Sequence, residues 1–520
     1  MALQVYNTLT QRLEPFEPLV AGSVRMYTCG VTVYDLCHLG HARSALVFDV
    51  IRRYLEFCGN RVTMVRNFTD VDDKIINRAK ERGRTWDEVA REYTAAFSAD
   101  MQALGIRPAD IEPKATEHIA EMLEIIGRLV DRGLAYAVDG DVYFAVRAFP
   151  GYGKLSHRSP DDLRSGARIE VDERKRDPLD FALWKAAKPG EPSWQSPWGP
   201  GRPGWHIECS AMSVKYLGEP FDIHGGGEDL VFPHHENEIA QSEGASGSML
   251  ARYWLHNGFL TVGGEKMSKS LGNFVTIRDA LRRFSPDALK LLLLSTNYRG
   301  PIDYTDAAAA EKTKAVAGLQ EFLRAADALK AELPTVPVVE TNGWTVHPAT
   351  TAFRAAMDDD FNTARATGAL FDLARDGNRL LQAARQSGVE SDAAAALSAA
   401  ALLRRLAGVL ALDLGTGEAV VTRLADISVS QSADEALADL ERLLTAPLPD
   451  AARLGNLVRE LIAHREAARQ RRDWAAADRI RQGLSAAGIR LDDSKTLCRA
   501  IADFSPETGL PPLHLIVRKT

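Results

Sequence analysis

Cysteine is scarce in this chain, with five residues in 520. That is too few to staple a protein of this length, so a secreted disulfide framework is excluded. A basic start followed by an apolar stretch is also missing: the N-terminus reads MALQVYNTLT and shows no secretory signal. No apolar run approaches a membrane span, the longest aliphatic stretch being LKLLLLS near residue 290. These absences predict a cytoplasmic protein without a membrane partner. Positive charge is not in excess either. The net charge of −7 argues against a surface coated in cations that binds any nucleic acid. It leaves room for a local patch, and residues 459–482 hold seven arginines against four acids on a helical pattern. No internal repeat is visible. What remains is an ordinary globular composition, 45% hydrophobic and 26% charged. The length predicts roughly two to four domains.

The first third alternates strands and helices. VRMYTCG (24–30) reads as a buried strand, residues 42–59 as a helix stopped by Gly59, and NRVTMVRNFTD (60–70) as a second strand. Helices follow over roughly 72–83, 85–104 and 116–133. A hairpin around AVDGDVYFAV turns at Asp139-Gly140. Residues 186–204, rich in Pro, Gly and Trp, read as an ordered surface connection. EPFDIHGGG (219–227) is a further strand ending in glycines, and HNGFLTVGGEKMSKSLGN (256–273) a strand pair running into a polar loop. This alternation predicts a doubly wound parallel sheet. After about 305, alanine, leucine and arginine dominate and strand signals vanish. Residues 334–348 and 413–432 are loose stretches, and the last 80 residues read as mostly helical before a strand-like LHLIV.

Three short stretches carry candidate chemistry. In FPHHENE (232–238), Pro233 suits the first turn of a helix that continues as ENEIAQSE, which places His234 and Glu238 on one face and turns His235 elsewhere. Two such groups make half a zinc site, with cysteines the expected partners. The same residues also suit an exposed helix start with a capping acid. HLGH (38–41) lies between a strand and a helix, where free N–H groups favour phosphate and Gly40 lets a nucleotide reach the backbone. Histidines there also serve as simple caps. KMSKS (266–270) puts Lys266 and Lys269 between glycines, a mobile pair of cations suited to a polyphosphate, or a basic surface loop. HGGG (224–227) would suit an esterase oxyanion hole, but the G-x-S-x-G elbow that must accompany it is absent. A glycine turn close to a nucleotide, or a structural turn, fits it better.

Taken in order, strand–HLGH–helix and then KMSKS about 225 residues later resemble the paired HIGH and KMSKS signatures of class I aminoacyl-tRNA synthetases, with Leu39 in place of isoleucine. YTCGVTVYDLCHLGH, NFTDVDDKI, PGWHIECSAM, HGGGEDLVFPHHENEIAQSE and KMSKSLGN resemble the cysteinyl-tRNA synthetase family of that class. The likeness covers most of residues 1–305 and resumes at MDDDFNTARA (357–366) and ARQRRDWAAADRIR (468–481). It implies one zinc ion per chain on Cys29, Cys209, His234 and Glu238. Spacing alone does not choose Cys29 over Cys37, since both lie near the strand end. Zinc separates cysteine from serine because it binds a thiolate and leaves a hydroxyl protonated. The substrate thiolate is then expected as a further ligand, with Glu238 weakening. The resemblance also implies ATP as substrate with Mg²⁺, contacted by His38, Gly40, His41 and Lys269. His38, His41, Lys266 and Lys269 would stabilise charge as the carboxylate of L-cysteine attacks the α-phosphate. Thr69, Trp205 and Asp229 would hold cysteine, and Arg469, Trp474, Asp478 and Asp493 would read the anticodon of tRNA(Cys). A monomer is implied.

The fold class expected is α/β. A Rossmann-like doubly wound catalytic domain spans 1–305, with a connective insertion at about 115–200 and the KMSKS loop at 266–270. A helical bundle (306–415), a linker or insertion (416–450) and a small anticodon-binding domain (451–520) follow. The stretches near 334–348 and 413–450 look longer than usual for the family, and the end lacks its Gly-Thr-Thr-Trp-Arg-like finish. A ligase that joins activated cysteine to an amino sugar shares the catalytic part but lacks residues 306–520 with RRDWAAAD. A non-enzymatic zinc or thiol sensor would need neither HLGH nor KMSKS.

Overall fold

SVRMYTCGVT alternates side chains between two apolar environments, and it forms the strand around which the rest is arranged. In the computed structural model this is β1 (Ser23–Thr32), followed by α1 (Leu39–Phe57), β2 (Arg61–Thr69) and α2 (Asp73–Arg82). The structure describes residues 2–162, 174–267, 274–338, 347–415, 421–423, 427, 429–444, 451–493, 497–502 and 513–518. Later in the chain come α3 (Trp205–Leu217), β3 (Phe221–Gly227), α4 (Glu236–Ser246) and β4 (Ala251–Asn257). The four strands run parallel in the order β4-β3-β1-β2. The chain moves from β1 to one side and returns on the other, so the switch point lies between β1 and β3. Ligands of open parallel sheets bind there, outside the strand carboxyl ends.

Both faces of this sheet are covered, as a parallel sheet requires. Val24 and Met26 pack with Leu46 and Phe48 of α1 in one core, while Tyr27 packs with Ile207, Trp184 and Trp254 in another. The second core reaches the inserted segment. That segment is an antiparallel sheet of Ala135–Val138, Asp141–Phe144, Phe181–Ala186 and Gly201–Pro203. Its hairpin turns at Asp139 and Gly140, both at positive φ (51° and 86°), the geometry a two-residue turn needs. The stretch 186–204, expected to be a surface connection, ends in a strand of this sheet.

Long helices follow at Asp306–Glu332, Pro348–Met357, Thr363–Ser387 and Glu390–Val409. The expectation that strands stop after about 305 fails towards the end of the chain. There Val421–Arg423, Leu513–Arg518, Leu497–Ala502 and Arg490–Asp493 form a four-stranded sheet. Leu513–Arg518 is the strand-like LHLIV of the sequence, and its three partners are too brief to show an alternation of their own.

Candidate active site and metal centre

A cavity of about 360 Å³ opens at the switch point. Cys29 and Gly30 from β1, His38, Gly40 and His41 from α1, Gly227 from β3 and Asn257 from β4 all line it. Trp205, Asp229 and Met267 reach the same space. The sequence scatters these residues over more than 200 positions, and the parallel sheet gathers them at one edge.

HLGH builds its own geometry. His38 is the N-cap of α1, and its Nδ1 accepts the Gly40 N–H at 3.0 Å. The His41 Nδ1 accepts the His38 N–H at 3.2 Å, which closes a reciprocal capping box made of histidines. The two rings stack with centroids 3.8 Å apart. A side chain at Gly40 would collide with the His38 ring, since an added Cβ would lie 2.8 Å from its Cε1. Glycine is therefore required here by the cap as well as by any ligand. Because each Nδ1 accepts a backbone proton, a neutral ring carries its own proton on Nε2. Burial, and then His38 and Lys74, lower the His41 pKa to about 3. His41 is thus a neutral hydrogen-bond donor, not a cation. The capping alternative and the phosphate-binding one are compatible, since they use opposite nitrogens.

The second feature lies deeper. Pairing of β1 with β2 shifts register between Thr28 and Val31, and Cys29 sits in that irregularity. Its Sγ is 3.7 Å from Cys209 Sγ on α3 and 3.3 Å from Glu238 Oε1 on α4. His234 Nε2 is 3.1 Å from the same Glu238 oxygen. A tetrahedral zinc, with bonds of about 2.3 Å to sulfur and about 2.0–2.2 Å to nitrogen and oxygen, separates two sulfurs by about 3.8 Å and nitrogen from oxygen by about 3.4 Å. The observed spacings fit that ion. Glu238 Oε2 is buried with His224 Nε2 3.4 Å away as its nearest donor and no well-formed hydrogen bond among the described residues, which leaves it capacity for a cation. Burial, then Cys209 and Glu238, push the Cys29 thiol well above its ordinary range, which a bound metal would reverse. Burial would raise Glu238 too, but His224 and His234 outweigh it and hold the carboxyl low.

The comparisons with known proteins bear on both features. Residues 15–314 match the family model described as tRNA synthetases class I (C) catalytic domain, and residues 352–415 match the DALR domain. A cysteine–tRNA ligase of Syntrophotalea carbinolica is 52% identical over 496 residues, covering 95% of this chain and 98% of that protein. One of Geobacter sulfurreducens is 52% identical over 501 residues at the same coverage. The chain belongs to the cysteine–tRNA ligase family of class I tRNA synthetases. A solved Mycobacterium tuberculosis methionyl-tRNA synthetase with methionyl-adenylate has the same fold at 18% identity and a TM-score of 0.58, over 76% of this chain and 92% of that one.

Other residues expected from this family fall in different places. Trp205 is 38% exposed and stacks on the His234 ring at 4.3 Å, between the metal centre and the cavity. Asp229 lines the cavity from the turn Glu228–Leu230. Thr69 does not line it: it is buried, and its hydroxyl donates to Glu208 Oε2 at 2.7 Å. Lys269 lies outside the described residues. Of Lys266 only the backbone is described, paired opposite Thr261. In the C-terminal part, Arg469 lies 3.5 Å from Asp493 and 3.0 Å from Glu466. Trp474 is 59% exposed, with Asp478 exposed one turn along the same helix.

One expectation for FPHHENE holds and one needs correction. Phe232 is extended (φ −138°, ψ 132°) and helical backbone follows it from Pro233, passing into the regular α-helix at Glu236. His235 does not point away from the cluster. Its Nε2 lies 3.2 Å from Cys29 Sγ and its Nδ1 2.8 Å from His256 Nε2. With His224 it forms a second, overlapping donor group around Cys29 and Glu238. HGGG is strand throughout, not a turn. A Cβ at Gly225 would lie 2.2 Å from the Phe48 ring, so that glycine serves packing. Five histidines surround the centre, three of them unremarked in the sequence: His206 bonds His234 (Nδ1 to Nδ1, 2.9 Å), His256 bonds His235, and His224 lies 3.4 Å from Glu238. Their signal was present, since each adjoins a stretch already singled out.

Proposed function

We propose that this protein ligates L-cysteine to tRNA(Cys), using ATP with Mg²⁺ and passing through cysteinyl-adenylate, with one zinc ion selecting the thiol. The observation that supports this best is a donor group with two thiols whose Cys29 lines the same cavity as the histidine cap. Cys29, Cys209, His234 and Glu238 hold the zinc. Two thiolates make this quartet softer than the overlapping one with His224 and His235, which suits zinc better. When bound, zinc supplies a soft Lewis acid that favours a thiol over a hydroxyl. His206 fixes the ring of His234 from outside, and Trp205 covers it on the cavity side.

At the other wall, His38 and His41 donate from Nε2 to phosphate oxygens, and Gly40 keeps the approach open. Donors held by a backbone cap need no reorganisation as charge gathers on the phosphates. Lys266 and Lys269 supply the positive charge that the neutral His41 does not. Asp229 faces the cavity and suits the amino group of cysteine. Thr69 acts at one remove, through Glu208. Arg469, Trp474, Asp478 and Asp493 form the anticodon reader, the exposed indole stacking an unpaired base.

The test is to incubate zinc-loaded protein with ATP, Mg²⁺, labelled cysteine and total tRNA and to count acid-precipitable label. ATP-dependent label released by mild base is the expected result. Protein that catalyses cysteine-dependent pyrophosphate exchange but labels no tRNA would overturn the reading in favour of a cysteine ligase with another acceptor. Absence of exchange would remove adenylate chemistry altogether.

A further inference from the structure

The cavity has a cation that neither signature motif supplies. Lys74, in the first turn of α2, lines the cavity together with Tyr34, His38 and His41, and is exposed to solvent. Every acid close to it in sequence or across the loop already has a partner. Asp72 caps α2 by accepting the Lys74 N–H at 2.9 Å. Asp73 bridges Lys185, at 2.8 Å, and Arg202. Asp35 pairs with Arg78, one turn beyond Lys74 on the same helix, and Arg78 also donates to the Tyr34 carbonyl at 3.3 Å. Lys74 has no carboxylate within ion-pair distance among the described residues. Its ammonium stands 5.5 Å from the centroid of the Tyr34 ring. Arg78 thus ties down the Tyr34–Asp35 loop, and that loop holds Lys74 at the cavity wall.

A surface lysine of no consequence extends into water or pairs with the nearest acid. This one is held by an aromatic ring beside the two histidines of the cap, facing a space that must accept a polyanion. We infer that Lys74 binds phosphate oxygens during the reaction, a third lysine in addition to the two that KMSKS supplies in sequence. The inference rests on the ligase reading above. Two substrates carry such a group: the triphosphate of ATP and the terminal phosphodiester of the tRNA. The shared wall with His38 and His41 favours ATP.

The test begins with cysteine-dependent pyrophosphate exchange by the unaltered protein; if that is absent, the ligase reading fails independently of Lys74. Lys74→Met is then compared with Lys74→Arg, both at an exposed position where folding is not at stake. Bound zinc and thermal unfolding serve as controls. Loss of one charge-assisted contact should raise KM for ATP about tenfold in Lys74→Met, with KM for cysteine and bound zinc within about twofold, and Lys74→Arg should recover most of the difference. KM for ATP should also rise with KCl less steeply in Lys74→Met than in the unaltered protein. Intact exchange with slowed single-turnover transfer from preformed adenylate to tRNA would keep the inference and assign the phosphate to the tRNA. Exchange and transfer both within twofold would overturn it.

Discussion

Cys29 and Cys37 lie eight positions apart and both line the cavity, but only Cys29 meets a second thiol. The reason is local: Cys29 lies two positions after Tyr27 on β1 and so faces the core that holds Cys209, whereas Cys37 lies beyond the strand in the opposite core. Cys37 is instead a buried thiol whose pKa rises to about 12 through burial and then the nearby Asp100 and Asp35, so it stays protonated and inert. Substitution should separate them. Cys209→Ser should lose bound zinc and cysteine-dependent exchange together, while Cys37→Ser keeps both. His206→Ala, which removes only the outer partner of His234, should weaken zinc affinity by about 10–100-fold. Metal analysis after dialysis against a graded chelator reads all three. Zinc retained in full by Cys209→Ser would refute the quartet and favour the group with His224 and His235. The histidines of HLGH teach a related lesson: the backbone proton each Nδ1 accepts decides which nitrogen reaches a ligand, something no residue spacing contains.

At the scale of elements, legibility followed periodicity. β1, α1 and β2 were readable because each is long enough to show its period, and the turn at Asp139-Gly140 because its chemistry is local. Of the C-terminal sheet only LHLIV is readable as a strand; its three partners are three to six residues long and gain their apolar neighbours only after assembly. His235 escapes a reading that weighs only the i,i+4 spacing, since a residue three before Glu238 is also its neighbour on a helix, and His235 stands 3.9 Å from it. The helix Trp474–Ala486 offers a clean test of function by element. Trp474→Ala should raise KM for tRNA about tenfold or more and leave pyrophosphate exchange intact, since one stacked base contributes roughly 1–3 kcal/mol. Equal loss of both activities would give the indole a folding role instead. A second element, Pro286–Leu293, carries the buried Lys290, which donates to the Ala411 carbonyl at 2.5 Å and pairs with Asp287 at 2.9 Å. Asp287 in turn accepts the N–H groups of Asp413 and Leu414. Asp287→Ala strands the ammonium and should destabilise by about 3–5 kcal/mol. Lys290→Met leaves the carboxylate with two backbone donors and should be milder. Urea midpoints order the two, and the reverse order would sink this account of the clamp.

For the molecule as a whole, the buried histidines of the centre make stability depend on pH in one direction, while Glu208, whose carboxyl burial pushes well above its ordinary range, acts in the other. His234 and His256 have pKa values lowered to about 3, chiefly by burial, and His235 lies further below its ordinary value for the same reason. In the unfolded chain each titrates near 6.5. Above that value both states are neutral and the histidines contribute no pH dependence. As pH falls below it, the unfolded chain takes up protons that the folded one refuses, so stability is lost progressively down to about pH 3. For the fully buried His256 alone, the loss by pH 5 is at most about 2 kcal/mol, from a gap of about 1.5 units at 1.36 kcal/mol each. Zinc release acts in the same direction, because protons compete with the metal for its ligands. The urea midpoint of metal-free protein should therefore fall from pH 7 to pH 5, and that of the zinc-loaded protein should fall further. Equal midpoints at the two pH values in the metal-free protein would mean that the histidines charge in place or that proton uptake by Glu208 offsets them, and a His256 variant separates the two. Replacing His256 with glutamine, which can still bond His235 but cannot take up a proton, should flatten the dependence by the share that His256 contributes.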